Sequence, residues 1–72
     1  MKYLIILEPT ETGYSAYSPD LDGCVAAGAN RNETIALMQE AIEFHLEGMA
    51  AGGLKAPMPT AESAFVDVSL AG

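Results

Sequence analysis

The chain has 72 residues, 50% of them hydrophobic, with ten acidic side chains against three basic ones and a formal net charge of −7. That length allows one domain, residues 1–72, with a core that buries only about 60% of the unfolded surface. The charge balance excludes nucleic-acid binding by this chain alone, which needs clustered Lys and Arg, and excludes an anionic membrane surface for the same reason.

Residues 2–7, KYLIIL, predict a strand with Tyr3, Ile5 and Leu7 on one face and Leu4 and Ile6 on the other. A strand apolar on both faces is normally central in its sheet and covered on both sides. The apolar run is too short for a signal peptide, and no stretch approaches the roughly 20 apolar residues of a membrane span. The reading is a soluble, cytoplasmic protein. Residues 8–13, EPTETG, predict a turn punctuated by Pro9 and Gly13. Residues 14–18, YSAYS, predict a second strand, joined to the first in an antiparallel hairpin. A second turn, PDLDG at 19–23, leads to a short third strand, CVAAG at 24–28.

Residues 29–53 are the one stretch with helical periodicity. Asn30 stands at the N-cap position and Glu33 follows three residues later, the spacing of a capping box. Ile35, Met38, Ala41, Ile42, His45, Leu46 and Met49 recur at helical spacing and form one apolar stripe, with Leu37 and Phe44 on its flank. Asn32, Ala36, Gln39, Glu40, Glu43 and Glu47 make the opposite side, and Gly52-Gly53 ends the helix. Pro57 and Pro59 stiffen the following connection. Residues 64–70, AFVDVSL, predict a last strand in which Val66, Val68 and Leu70 alternate with Asp67 and Ser69. The order β-β-β-α-β makes an α+β domain. A meander of three strands and a right-handed helix crossover give the spatial order 3-2-1-4, with the helix across one face.

Few side chains carry chemistry. His45 is the sole histidine, on the apolar side of the helix with no nucleophile at useful spacing, and reads as a boundary residue. Cys24 is the single cysteine, so there is no internal disulfide, and it reads as a small core residue. No cluster has zinc-ligand spacing, and no metal or cofactor is expected. Asp20 and Asp22 share a turn, where backbone chemistry explains aspartate better than a metal or an acid–base pair does. Glu40, Glu43 and Glu47 lack a lysine at i+4 and read as a solvated face or as a docking surface for a basic partner.

Taken together, Tyr14-x-Ala16-x-x-Pro19-Asp20-Leu21-x-Gly23-Cys24, then Gly28 and the capped helix through AIEFHLE, resemble the HicB antitoxin family. The likeness continues through Pro57-Met58-Pro59 and the last strand, nearly the whole chain. The family pattern has proline at Asp22, Ser or Thr at Asn30 and alanine at Thr34. The first two departures keep turn and cap chemistry, and the third is small. The resemblance implies a partial RNase H-like fold and the neutralisation of a small basic, mRNA-cleaving toxin of the HicA type. Many members carry a ribbon-helix-helix or helix-turn-helix segment after the last strand. The sequence ends at Gly72, so operator binding is not expected of this chain by itself. Nor is catalysis, because the strand KYLIIL offers no carboxylates to hold metal ions.

Two functions from different classes follow. One is an antitoxin whose acidic residues contact the toxin: Glu8, Glu11, Asp20 and Asp22 on the loops, and Glu40, Glu43 and Glu47 on the helix. The other is a stand-alone oligomeric domain that binds a small ligand or regulator and has no toxin. An enzyme is a distant third. In either case one helix cannot cover both faces of the sheet. A homodimer or higher oligomer is therefore expected, through Tyr3, Leu4, Ile6, Tyr14 and Tyr17.

Overall fold

The computed structural model describes residues 1–71. Three strands, β1 (Ile6–Pro9), β2 (Tyr14–Ser18) and β3 (Leu21–Gly28), precede one helix, α1 (Arg31–Ala51). The strands form an antiparallel meander in the order β1-β2-β3. The register puts Ile6 beside Tyr17 and Tyr17 beside Val25, and likewise Leu7, Ala16 and Ala26 in one row. Residues in a row share a face. The Leu7–Ala16–Ala26 face lies under α1, which packs mainly on β3 and β2.

The motif from Pro19 to Cys24 gains its physical meaning here. Pro19 and Asp20 form a two-residue turn, after which Ser18 pairs directly with Leu21. The next rung is Tyr17 with Val25, so three residues of β3 are accommodated against none of β2. Such a bulge needs a residue at positive φ, and Gly23 supplies it at 78°. Its effect is to turn both Leu21 and Cys24 into the core, where they meet Ala16 and Met38.

The helix begins and ends on the residues that its sequence signals mark. Asn30 is extended, and its Oδ1 accepts from the Glu33 backbone N–H at 2.8 Å. Glu33 Oε2 accepts in return from the Ala29 N–H at 3.2 Å. Thr34, fully buried, donates from Oγ1 to the Asn30 carbonyl at 2.8 Å and sits over Gly28. At the other end Gly53 takes φ 77°, and Leu54 N–H donates to the Met49 carbonyl at 2.8 Å. Every residue of the predicted stripe is buried or half-buried, whereas Phe44 on its flank is 78% exposed. Asn30→Ala is expected to cost about 1 kcal/mol by leaving first-turn donors unpaired. In a domain of this size that lowers Tm by about 4–8 °C in a thermal melt.

Four expectations differ from the structure. β1 pairs over Ile6–Pro9, not over residues 2–7. β3 runs from Leu21 to Gly28, not from Cys24, because the turn closes within Pro19 and Asp20; β2 keeps its expected bounds, and its last residue Ser18 donates from Oγ to the Leu4 carbonyl at 2.9 Å. β1 is also an edge strand, not a central one, because β2 occupies the middle of the described sheet. Finally, residues 54–71 form no strand. The segment is tied down first where Tyr3 Oη donates to the Pro57 carbonyl at 2.6 Å. It is tied again at Asp20, whose carboxylate accepts from Thr60 Oγ1 at 3.1 Å and from Ala61 N–H at 3.2 Å. Beyond Ala61 every described residue is exposed. The radius of gyration, 14.8 Å, accordingly exceeds the ~11 Å of a compact 72-residue domain.

Candidate functional site

Two surfaces emerge from this architecture. The first is the sheet face turned away from α1. Strand alternation gives it Ile6 and Glu8 from β1, Ser15 and Tyr17 from β2, and Val25 and Ala27 from β3. Ile6, Tyr17 and Val25 form one row across the sheet, with Tyr17 43% and Val25 66% exposed. Leu4 follows the same alternation at the start of the chain. A row of apolar side chains this open is unusual on a lone soluble domain. Glu8 lies on this face toward the β1–β2 loop, which carries Glu11, and Asp22 lies on β3 just after the opposite turn. Carboxylates thus flank the apolar row on both sides along the strand direction.

The second surface is the solvent side of α1, where Glu40, Glu43 and Glu47 are all exposed. The two groups of acidic candidates therefore lie on different layers of the molecule. Glu43 also borders a largely apolar groove between α1 and residues 1–5 ahead of β1, lined mainly by Tyr3, Ile5, Ile35, Ile42 and Leu46.

The structure also divides the aromatic and aliphatic candidates. Leu4, Ile6 and Tyr17 share the outer face, but Tyr3 and Tyr14 follow the alternation of Ile5, Leu7 and Ala16 toward the helix. Tyr3 spends its hydroxyl on Pro57. Asp20 differs from the other acidic candidates because its carboxylate is engaged within its own chain, forty residues away. That clamp has no local sequence signature. Val25 is the outer-face residue that periodicity missed, since a five-residue strand reading of 24–28 gave no register against Tyr17.

Chemistry in the reactive sense is sparse. Cys24 is buried, and that burial pushes its thiol above its ordinary value, so it stays protonated at neutral pH. Among the described residues, no three His, Cys, Asp or Glu side chains stand together as a metal site. No helix among them is long and apolar enough to cross a membrane.

A model of the HicB-like antitoxin family of bacterial toxin–antitoxin systems matches residues 3–68. The chain belongs to this family. Relatives extend the likeness. An uncharacterized 14.9 kDa protein of Haemophilus phage HP1, from the rep-hol intergenic region, is 43% identical over 49 residues. Those residues are 68% of this chain but only 37% of the phage protein. A UPF0150 protein of Helicobacter pylori strain J99 is 39% identical over 49 residues, 68% of each chain. Among solved structures, a chain of a HicA3 and HicB3 toxin–antitoxin complex superposes with a TM-score of 0.66 at 34% identity. That match covers 83% of this chain and 70% of the other. The three antiparallel strands followed by one helix are thus a HicB-like arrangement.

Proposed function

We propose that this chain is the antitoxin of a type II toxin–antitoxin pair and binds and neutralises a small, basic, mRNA-cleaving toxin. The observation that carries the proposal is the outer sheet face of a HicB-like domain, an open apolar row bounded by carboxylates. Protein interfaces have an apolar centre and a polar rim, so this face suits a basic partner better than the purely acidic side of α1 does. Tyr17, with Leu4, Ile6 and Val25, supplies the centre, and Glu8, Glu11 and Asp22 the rim. Glu40, Glu43 and Glu47 act at longer range by steering the partner and raising its association rate. The role is non-enzymatic and cytoplasmic, since the toxin acts on mRNA. The finer fold belongs to the same reading: a partial RNase H-like sheet of order 3-2-1-4, assembled as a homodimer.

The test is a binding titration against the basic product of the adjacent gene, with an RNA-cleavage assay beside it. Saturation with the antitoxin is expected to stop cleavage. Tyr17→Ala should weaken binding roughly tenfold or more, as loss of a central aromatic anchor does. Charge reversal of Glu40, Glu43 and Glu47 together should mainly slow association, and less so once salt shortens the Debye length well below ~10 Å. No binding at micromolar concentration, or cleavage that continues at saturation, would favour the stand-alone ligand-binding domain instead.

A further inference from the structure

We propose that residues 62–71 are a strand held in exchange, each copy's segment pairing along the free edge of β1 in a second copy. The inference rests on the four-stranded order read above and is independent of toxin binding.

Three observations converge on it. The first is the segment itself. Val66, Val68 and Leu70 alternate with Asp67 and Ser69, the pattern of a strand with one buried face, yet Val66 is 80% and Leu70 92% exposed. The family match runs through Val68, so this stretch belongs to the domain and is not a linker after it. The second is a vacant receptor. β1 has β2 on one side only, and its other edge presents unpaired N–H and C=O groups. Continuing that edge, where residues 1–5 lead into β1, an open groove of about 420 Å³ is lined mainly by Tyr3, Ile5, Ile35, Ile42 and Leu46. A strand added there turns Val66, Val68 and Leu70 into the groove and leaves Asp67 and Ser69 in water.

The third observation decides between a chain's own segment and a partner's. After the helix the chain first meets Tyr3, at Pro57, and then the β2–β3 turn, where Asp20 holds Thr60 and Ala61. With the order β1-β2-β3, it is travelling away from the free edge of β1 when it leaves the body. Returning to its own β1 demands a reversal across the end of the sheet immediately after the Asp20 clamp. A second copy related by a twofold axis offers the same edge without one.

The experiment uses disulfide trapping in the full chain, with Cys24→Ala removing the native thiol. Ile6→Cys is combined in turn with Asp67→Cys and Ser69→Cys, which sample two registers on one face of the pairing. After mild oxidation, exchange yields a covalent dimer on a non-reducing gel, reverting to monomer on reduction. An equimolar mixture of chains carrying only Ile6→Cys and only the tail cysteine should give the same dimer. A fast-migrating monomer with an internal disulfide overturns exchange in favour of self-pairing. No link at either register, together with a monomer in sedimentation at micromolar concentration, overturns the pairing altogether. Val68→Pro, which leaves α1 and the meander intact, should sediment as a monomer with unchanged helical circular dichroism. Any of these failures leaves the toxin titration to stand or fall separately.

Discussion

Met38→Ala is expected to cost about 2–5 kcal/mol, a large share of the total stability of a 72-residue domain. Met38 is 0% exposed and sits on α1 against Ala16, Leu21 and Cys24. Two of those neighbours are small and fixed by strand register, so little is able to move into the space vacated. Cost then follows the residual cavity as well as the lost transfer of the side chain. Met38→Leu keeps the volume and should cost less than about 1.5 kcal/mol. Phe44→Ala, on the same helix but 78% exposed, should stay within about 0.5 kcal/mol of the parent. Urea midpoints at one fixed protein concentration check all three, since the apparent stability of any self-associating chain depends on concentration. Equal losses at Met38 and Phe44 would mean that the helix packs by another face.

The same contrast explains why the helix was legible. Its signals are local: a cap at Asn30, its reciprocal partner at Glu33, a stripe with the right period, and Gly52-Gly53 at the end. Each is satisfied within a few residues, so propensity and tertiary packing agree. β2 was legible for a similar reason, being bounded by turns on both sides. The strand edges were not. Residues 2–7 are apolar on both faces, yet in the described sheet one face lies under the helix, the other is an open surface, and β1 stands at the edge. Periodicity reports that a face avoids water without naming what covers it. The alternation of Val66, Val68 and Leu70 carries the same ambiguity.

The candidate site was legible in composition and illegible in geometry. Acidic excess led to the expectation of a basic partner, but only the register separates Leu4, Ile6 and Tyr17 from Tyr3 and Tyr14. Asp20 shows the limit most clearly. Turn chemistry explains an aspartate after Pro19 by itself, so nothing local calls for the second role that the carboxylate plays on Thr60 and Ala61. Long-range polar contacts of this type have no period and no spacing.

A glycine read from sequence as turn punctuation gives the other large effect. Gly13→Ala is expected to destabilise the domain by about 3 kcal/mol, at the upper end for overpacking. Its φ is not positive, so the demand for glycine there is one of space. A Cβ at Gly13 would run into the carbonyl oxygen of Gly28 and lie 3.0 Å from both Cα and C of Ala29. These are backbone atoms at the end of β3, one residue before the helix cap, and no side-chain rotation relieves the clash. The β1–β2 loop and the entry to α1 must separate, loosening the Thr10 N–H to Gly13 carbonyl bond of 2.8 Å as well. Gly23→Ala is the matching control. A Cβ there meets nothing within 4 Å, and only its φ of 78° is strained, at about 1–2 kcal/mol. Urea melts of the two variants should therefore rank Gly13→Ala below Gly23→Ala. Amide exchange should show the difference locally, with Gly28, Ala29 and the first turn of α1 deprotected in Gly13→Ala alone. The reverse ranking, or unchanged protection at Ala29, would mean that the loop does not close onto the helix entry as described.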